Sequence, residues 1–308
     1  MKACVDIGGT KIAVSLNTGA GLDLIGKRSE PTAKTGGPDA LAQQVIRMVE
    51  ESAREIGLDP SRVQRVGVSS AGPFVLNAGL VELASPNICG GIAGPARGLP
   101  NDWMTATLEG PLRRRFTEGV RVENDAVSAL EAERRWGALQ GYEHCAYVTW
   151  STGVGMGLCV DGRVLRGKNG NAGHGGHMFV SDNAEALCGC GNLGDLEALV
   201  AGNAVARRFG GDAAMLMQRA RAGDAQAVAT VDELCRIMGR ALYNVTVVLD
   251  LQRISLGGSV FLHNQEVLLP RLQAQIAGKL PALTTGCELV PAGLGERVGD
   301  YAALALLV

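Results

Sequence analysis

Two regions of the chain begin in the same way, with a short strand, a glycine turn and a second strand. Residues 3–16 read ACVDIGGTKIAVSL, and their apolar runs flank the glycine pair. Residues 145–166 read CAYVTWSTGVGMGLCVDGRVLR and repeat the pattern, with a further hairpin at Asp161-Gly162. The repetition predicts an α/β protein in which each of two domains starts with the same hairpin. The alternative is chance recurrence, because glycine hairpins are common.

Length and charge restrict the class of protein. A chain of 308 residues usually exceeds one core, which predicts two domains. The formal net charge of −2 predicts neither a nucleic-acid partner nor a membrane-surface partner. We expect no membrane span, because no apolar run reaches about 18 residues, and no secretory signal, because Asp6 interrupts the first apolar run. The eight scattered cysteines predict buried thiols in a reducing cytoplasm.

Hydrophobic spacing predicts the other main elements. Helices are expected over 38–56, 125–136 and 225–249 and from about residue 300, and strands over 66–70, 120–122 and 254–256. Residues 84–103 are rich in Gly, Pro and Asn and predict a long loop. Loops of that length in a compact domain usually carry function.

The two glycine turns have a clear chemical use. Glycine lets backbone N–H groups approach an anion, a Thr hydroxyl adds a donor, and a carboxylate at a strand end can hold Mg²⁺. Two such hairpins predict a site for the β- and γ-phosphates of a nucleotide between the domains. The predicted contacts are Asp6, Gly8, Gly9, Thr10, Lys11, Thr152 and Gly153.

Glu123-Asn124-Asp125 lies where a predicted strand ends and a helix begins. Short polar side chains at that position favour a helix N-cap, which is one interpretation. The other is catalytic, because phosphoryl transfer to a hydroxyl needs a group that orients the hydroxyl and accepts its proton.

Five segments, in order, resemble the ROK family (repressors, open reading frames and sugar kinases): DIGGTK, VENDA, STGVGMG, GHGGH and CGCGNLGDLEA. The resemblance covers essentially the whole chain. It implies the actin-like, hexokinase-type fold, with two α/β domains around a closing cleft. The implied domains are residues 1–122 with about 291–308, and residues 123–290. It also implies ATP- and Mg²⁺-dependent phosphate transfer to the 6-hydroxyl of a hexose, and a homodimer.

The resemblance assigns roles to several residues. Asp125 is the implied general base, and Asn124, Asn87, His174 and Glu197 are the implied sugar contacts. Gly257 and Gly258, which follow the predicted strand 254–256, are implied to contact the adenosine of ATP. Structural alternatives stay open: a turn asparagine at Asn87, a packed imidazole at His174, and a tight strand–helix turn at the glycine pair.

Residues 171–199 contain two of the four His and two of the eight Cys. In the family, a His and three Cys of the equivalent segment bind a structural zinc. His177, Cys188 and Cys190 match three of these ligands, while Asp195 replaces the third Cys. Asp can ligate zinc through oxygen, so the set is chemically sound. The alternative is a zinc-free loop in which Asp195 caps a helix over 196–205.

A second departure from the family pattern concerns the sugar. His174 replaces a glutamate, and a neutral imidazole accepts one hydrogen bond and donates one. N-acetylmannosamine kinases show a similar G-H-x-G-H pattern, whereas residues 149–174 are closer to the glucokinase and hexokinase branch. We favour glucose or a small set of hexoses, with N-acetylmannosamine as the alternative. ATP is the expected donor, and polyphosphate is its rival.

Two non-enzymatic alternatives come from a different class of function. Family regulators carry a DNA-binding module ahead of the kinase-like part, and often lose the base. Here D-I-G-G-T begins at Asp6 and Asp125 is present, so an enzyme is expected rather than a regulator. A sugar sensor without catalysis is the third reading, and an assay of ATP consumption distinguishes it.

Overall fold

The computed structural model describes residues 1–19, 21–94, 97–182 and 185–308. The chain forms two compact units. Unit 1 consists of Met1–Ala132, Arg166–Ala172 and Arg297–Val308, and unit 2 of Glu133–Leu165 and Gly173–Glu296.

Thirteen strands and twelve α-helices are assigned among the described residues, and three 3₁₀ turns accompany them. The strands are β1 Lys2–Ile7, β2 Lys11–Asn17, β3 Ile25–Pro31, β4 Arg65–Ser70, β5 Phe74–Asn77, β6 Leu80–Leu83, β7 Ala106–Thr107, β8 Gly119–Asn124, β9 Cys145–Trp150, β10 Val154–Val160, β11 Arg163–Val164, β12 Arg253–Gly257 and β13 Glu288–Pro291. The helices are α1 Ala40–Glu55, α2 Gly90–Ala93, α3 Glu109–Arg115, α4 Asp125–Trp136, α5 Leu196–Val200, α6 Gly202–Phe209, α7 Ala213–Arg221, α8 Ala225–Leu249, α9 Ser259–Leu262, α10 Gln265–Ile276, α11 Pro281–Thr284 and α12 Val298–Ala305. The 3₁₀ turns are Pro60–Arg62, Gly175–His177 and Gly295–Arg297.

Unit 1 is built on a five-stranded sheet in the order β3-β2-β1-β4-β8. The strands β1, β4 and β8 are parallel, while β2 and β3 are antiparallel to their neighbours. The apolar face of α1, with Leu41, Val45 and Met48, is fully buried in the core of this unit. Helix α12 packs on β1 and β4. A Cβ at Gly67 would lie 2.2 Å from the Ala303 carbonyl oxygen, so glycine allows the helix this close approach.

The outermost strand of this sheet, β3, carries a network of ion pairs. Arg28 binds Glu30 at 2.9 Å and Glu51 at 2.8 Å. Arg47 binds the same two carboxylates, at 2.5 and 2.8 Å. The strand is thereby joined to α1 through charged side chains.

Unit 2 has a five-stranded sheet with the equivalent order, β11-β10-β9-β12-β13. A hairpin is again followed by two parallel partners. Each unit therefore contains the same arrangement of a glycine hairpin and two parallel strands. The long helix α8 packs against α10 and α7, with Val231, Leu234 and Met238 in the core, as its apolar spacing predicts.

The predicted helices and strands are found, with differences at their ends. The last helix begins at Val298 rather than near residue 300. The predicted loop 84–103 contains the short helix α2, and its residues 95 and 96 lie outside the described part of the chain. Within the described residues, no helix has both the length and the apolar character needed to span a bilayer.

The unit boundaries also differ from the expected ones at residues 122 and about 291. They follow Ala132 and Glu296 instead. Asn124 and Asp125 consequently belong to unit 1, because β8 pairs with β4 in register up to Asn124.

Candidate active site and metal centre

The carboxyl ends of three parallel strands bring the polar residues of unit 1 together. Asp6 lies beside Ser69, and Ser69 lies beside Glu123. One residue further, Ser70 pairs with Asn124, and Asp125 follows as the first residue of α4. Ligands of open α/β sheets bind outside the carboxyl ends of the strands, and this edge carries the residues that the sequence predicts for catalysis.

Asp6 is partly buried at this edge. Its pKa is raised to about 6, mainly by burial and then by the charges of Asp125 and Asp300, while Lys11 acts in the opposite direction. A cavity of about 230 Å³ opens beside Asp6, and Lys11 and Asp300 also line it. Carboxylates that repel one another are stabilised by a divalent cation, so this edge suits Mg²⁺.

The first glycine hairpin is braced by a residue that the sequence did not single out. The Gly8 amide donates to the Lys11 carbonyl at 2.9 Å, which closes the turn. The Thr32 hydroxyl donates to the Gly8 carbonyl at 2.7 Å, and the Thr32 amide donates to the Thr10 carbonyl at 3.1 Å. Thr10 and Lys11 are exposed. The hairpin is therefore rigid and presents a hydroxyl and an ammonium group to solvent.

Asn87 lies directly on this hairpin. A Cβ at Gly9 would come within 2.8 Å of the Asn87 Cβ, so a larger residue at position 9 would displace Asn87. The Asn87 Oδ1 accepts a hydrogen bond from Arg97. Asn101 anchors the same loop by donating to the carbonyls of Lys34 and Ile88 at 2.9 and 3.0 Å. The loop residue predicted to contact sugar thus neighbours the predicted phosphate turn.

Asn124 and Asp125 both accept hydrogen bonds at the start of α4. The Ala126 amide donates to Asn124 Oδ1 at 3.0 Å and to Asp125 Oδ1 at 2.8 Å. Asn124 is buried, whereas Asp125 is exposed. The capping interpretation is therefore confirmed, and it uses the single side-chain oxygen of Asn124 and the Oδ1 of Asp125. It leaves the catalytic interpretation open, and the N-terminus of a helix favours a charged carboxylate.

An ion pair between a buried glutamate and an exposed arginine, which the sequence did not predict, lies next to these residues. Arg166 Nε donates to Glu123 Oε1 at 2.5 Å. Burial raises the pKa of Glu123, and Arg166 offsets part of that rise. Five residues on, Asn171 makes two hydrogen bonds with the Phe74 backbone at 2.8 and 2.7 Å. The chain passes from unit 2 to unit 1 after Leu165, and these contacts hold residues 166–172 in unit 1.

In unit 2, the four residues predicted to bind zinc come together. Their ligand atoms all lie within 4.8 Å of one another. His177 Nδ1 is 3.0 Å from Asp195 Oδ2 and 3.8 Å from Cys188 Sγ, and Cys190 Sγ is 3.4 Å from Asp195 Oδ2. Around a tetrahedral zinc with bonds of about 2.0–2.3 Å, neighbouring ligand atoms lie about 3.3–3.8 Å apart. The donor set suits zinc, and these three distances of 3.0–3.8 Å lie near that range.

Asp195 caps a helix with one side-chain oxygen and lies in the cluster of candidate ligands with the other. Its Oδ1 caps α5 by accepting from the Ala198 amide at 2.9 Å, while its Oδ2 lies in the ligand cluster. Burial acts to raise the pKa of Asp195, but the hydrogen bonds from Ala198, His177 and the two thiols outweigh it and the pKa is lowered. Capping consequently does not argue against metal binding.

Asn192 donates hydrogen bonds to two of the four clustered residues. The Asn192 amide donates to Cys190 Sγ at 3.5 Å, and Asn192 Nδ2 donates to Asp195 Oδ2 at 3.4 Å. Hydrogen bonds to ligating groups orient them for the metal.

The predicted helix 196–205 is wrong in one respect, since α5 ends at Val200 and α6 begins at Gly202. The break allows Gly202 to approach the Ser151 carbonyl, where its amide donates at 2.8 Å.

The second glycine hairpin contacts Glu197. The Val154 amide donates to Glu197 Oε2 at 3.0 Å, and a Cβ at Gly153 would lie 2.6 Å from that oxygen. Thr152 is exposed at the tip of the hairpin. His174 is partly buried, and its ring centroid lies 6.3 Å from that of His177. The two predicted sugar contacts of unit 2 therefore lie beside the ligand cluster.

The glycine pair at the end of β12 is required by packing. A Cβ at Gly257 would lie 2.3 Å from the Tyr147 hydroxyl oxygen, and one at Gly258 would lie 2.5 Å from the Trp150 carbonyl oxygen. Gly258 also has a φ of +85°, which favours glycine. The tight-turn interpretation is supported here, and contact with adenosine stays a prediction.

Comparison with known proteins identifies the family. The model of the ROK family matches residues 2–307. The chain belongs to the ROK family. It is 29% identical to the glucokinase of Aeropyrum pernix over 98% of this chain and 95% of that protein. It is 33% identical to the N-acetylmannosamine kinase of Citrobacter koseri over 83% of this chain and 82% of that protein.

A solved structure extends this likeness to the fold. The ROK family glucokinase from Streptomyces griseus, in complex with glucose and AMPPNP, superposes with a TM-score of 0.70. The two are 26% identical, and the match covers 98% of this chain and 97% of the other. The predicted actin-like, hexokinase-type α/β fold of this ROK protein is confirmed.

Proposed function

We propose that the protein is an ATP-dependent hexose kinase that transfers the γ-phosphate to the 6-hydroxyl of glucose or a related hexose. The observation that carries the proposal is the carboxyl end of the sheet in unit 1. There the charge of Asp125 contributes to the raised pKa of Asp6, next to a glycine hairpin that is closed by hydrogen bonds. Likeness to glucokinases supports the substrate class, and the glucose and AMPPNP complex of a relative supports ATP.

The proposed mechanism assigns each group of unit 1 one task. The hexose hydroxyl oxygen attacks the γ-phosphorus, its proton passes to the Asp125 carboxylate, and ADP leaves. Asp6 holds the Mg²⁺ of the nucleotide, which neutralises the phosphate charge. Gly9 and Thr10 donate hydrogen bonds to the phosphates, Gly8 closes the turn that presents them, and the ammonium of Lys11 adds positive charge.

Asn87 and Asn124 contribute sugar contacts from unit 1. The contribution of Asn124 is an amide held in one orientation by its bond to Ala126.

The residues of unit 2 are proposed to contact the phosphates, the adenosine and the sugar. Thr152 and Gly153 bind phosphate, Gly257 and Gly258 contact adenosine, and His174 and Glu197 bind sugar hydroxyls. His174 distinguishes this chain from the family pattern with an acid at that position. Because the N-acetylmannosamine kinase of Citrobacter koseri is also a close relative, N-acetylmannosamine is the second candidate substrate.

We also propose that His177, Cys188, Cys190 and Asp195 hold a structural zinc. The supporting observation is the spacing of their ligand atoms, together with the bonds from Asn192. Bound there, zinc would fix the loop between His177 and α5 and would have no part in proton transfer. A homodimer and a cytoplasmic location stay predictions.

The decisive test of function is a coupled ADP-release assay with ATP and Mg²⁺ over glucose, mannose, fructose, glucosamine and N-acetylmannosamine. We expect turnover with glucose to exceed turnover with the other sugars. Turnover confined to N-acetylmannosamine would establish the second candidate, and no sugar-dependent ADP release would contradict a kinase. A parallel assay of sugar phosphate formation with polyphosphate tests the rival donor.

The two roles of Asp195 can be separated by mutation. Asp195→Asn keeps an oxygen for the Ala198 amide but loses the charge, so zinc should dissociate more readily. Asp195→Cys supplies a thiolate but removes the cap, so zinc should bind more tightly while the metal-free protein loses about 1 kcal/mol of stability. Competition with a chromogenic chelator measures zinc affinity, and thermal melting measures stability.

Asp212→Cys is the matched control for these variants. Asp212 caps α7 by accepting from the Met215 amide at 2.8 Å, and it is not one of the four clustered ligands. The control should lose comparable stability with no change in zinc affinity. Equal zinc affinity in all four proteins would contradict the proposed ligand role of Asp195.

A further inference from the structure

We propose that Glu197 is a positioning residue that couples the ligand cluster to the second glycine hairpin. In this proposal, zinc in the cluster holds residues 151–155 in the conformation that binds the nucleotide. The nucleotide part rests on the proposed function, whereas the coupling itself does not. The proposal gives Glu197 a function in addition to sugar binding. It also predicts that the metal increases the affinity for the nucleotide.

The carboxylate of Glu197 joins the two sites directly. Its Oε2 accepts the Val154 amide at 3.0 Å, and its Oε1 lies 3.6 Å from Cys188 Sγ, which donates to it as a thiol and would lose that proton on binding zinc. Cys188 is in turn one of the four clustered ligands. One side chain therefore contacts both a proposed metal ligand and the backbone of the hairpin.

Glycines enclose this carboxylate. A Cβ at Gly153 would lie 2.6 Å from Glu197 Oε2, and one at Gly176 would lie 3.4 Å from it. Gly176 directly precedes the ligand His177, and Gly153 lies in the hairpin. Glu197 thus fills space left by glycines from both elements, so a shift of one element is transmitted to the other through it.

Helix α5 provides a second connection. Asp195, a proposed ligand, caps the start of α5, two residues before Glu197. At the other end, the Val200 carbonyl accepts from the indole of Trp150 at 2.7 Å. The Gly202 amide donates to the Ser151 carbonyl at 2.8 Å. Helix α5 is therefore held at its start by Asp195 and at its end by bonds to Trp150 and Ser151. A metal that fixes Asp195 would also fix α5, and with it Glu197 and the bond to the hairpin.

The test follows the Val154 amide by hydrogen exchange in the full chain, without sugar or nucleotide. It compares the zinc-loaded protein with protein treated with a zinc-selective chelator, Mg²⁺ being kept in excess. We expect the chelator to speed exchange of the Val154 amide about tenfold. Glu197→Ala should speed it similarly, with little further effect of the chelator. Glu197→Gln should stay near the wild-type rate, because its carbonyl can still accept from Val154.

Two controls exclude a general loss of structure. Glu233→Ala removes a glutamate of α8 whose ion pair with Arg208 lies on the same unit, and it should leave the Val154 rate unchanged. Amides of α8 should stay protected in every variant. Unchanged Val154 exchange in Glu197→Ala would overturn the proposal. So would faster exchange of residues 186–195 on zinc removal without any change at Val154.

The dissociation constant of ADP with Mg²⁺, measured by calorimetry, tests the nucleotide part separately. It should rise about tenfold in Glu197→Ala and in the zinc-depleted wild type, and little in Glu197→Gln. If Val154 exchange responds as expected while ADP affinity does not, the coupling is upheld. The assignment of the hairpin to the nucleotide, and with it that part of the proposed function, is then refuted.

Discussion

Replacing Asp125 by Asn is expected to lower kcat by about 10²–10⁴-fold while the sugar binds with nearly unchanged affinity. An asparagine has the same shape and can still accept the Ala126 amide, so the start of α4 is preserved. It cannot accept the proton of the attacking hydroxyl, and the loss therefore concerns the transition state rather than binding. The coupled assay gives kcat, and calorimetry with glucose gives the dissociation constant.

Asp161→Asn is a suitable control for this prediction. Asp161 lies in the β10–β11 turn with a φ of +51°, a conformation that asparagine tolerates, and its side chain is 81% exposed. The control should keep wild-type kcat. Turnover of Asp125→Asn within a few-fold of wild type would exclude Asp125 as the base and leave it as a helix cap.

Replacing Asp6 by Asn is expected to abolish Mg²⁺-dependent turnover and to stabilise the protein at neutral pH. The pKa of Asp6 is raised to about 6 in the folded protein, from an unfolded value near 3.8. The folded state therefore holds the proton more tightly. The stability this gives is fully present below about pH 4 and is lost as the pH rises through 6. Above pH 6 the wild type carries a penalty of up to roughly 3 kcal/mol, which the variant lacks.

Melting temperatures measured between pH 4 and pH 8, without Mg²⁺ or nucleotide, check the predicted direction of this pH dependence. The variant should melt higher than wild type at pH 7.5, and the difference should shrink towards pH 4. ATP with Mg²⁺ should raise the melting temperature of wild type more than that of the variant, because the cation compensates the Asp6 charge. A difference independent of pH would contradict the role of burial and of Asp125 in raising this pKa.

Much of the fold was predictable because local spacing encodes it. The glycine hairpins, the apolar stripe of α8 and the polar residues after β8 all lie in short stretches of sequence. The features that the sequence did not reveal join residues far apart in the chain. Arg166 pairs with Glu123, and Thr32 braces Gly8, but neither pair has a spacing that marks it.

The candidate site shows the same distinction. The residue types His177, Cys188 and Cys190 suggested a metal site, and the structure brings these residues together with Asp195. The sequence could not reveal that capping and ligation by Asp195 are compatible, because this depends on the separate positions of its two side-chain oxygens. Likewise, Glu197 suggested a sugar contact, and only its bond to Val154 reveals a connection to the hairpin.

The ion pairs along β3 have a consequence for behaviour at high protein concentration. An outermost strand exposes unpaired backbone groups that can recruit a strand from another molecule, and charged side chains discourage that pairing. Arg28 and Glu30 place opposite charges on this rim and join it to α1. Neutralising these side chains would remove the charges that oppose pairing with a strand of another molecule. Self-association should then appear first along this side of unit 1.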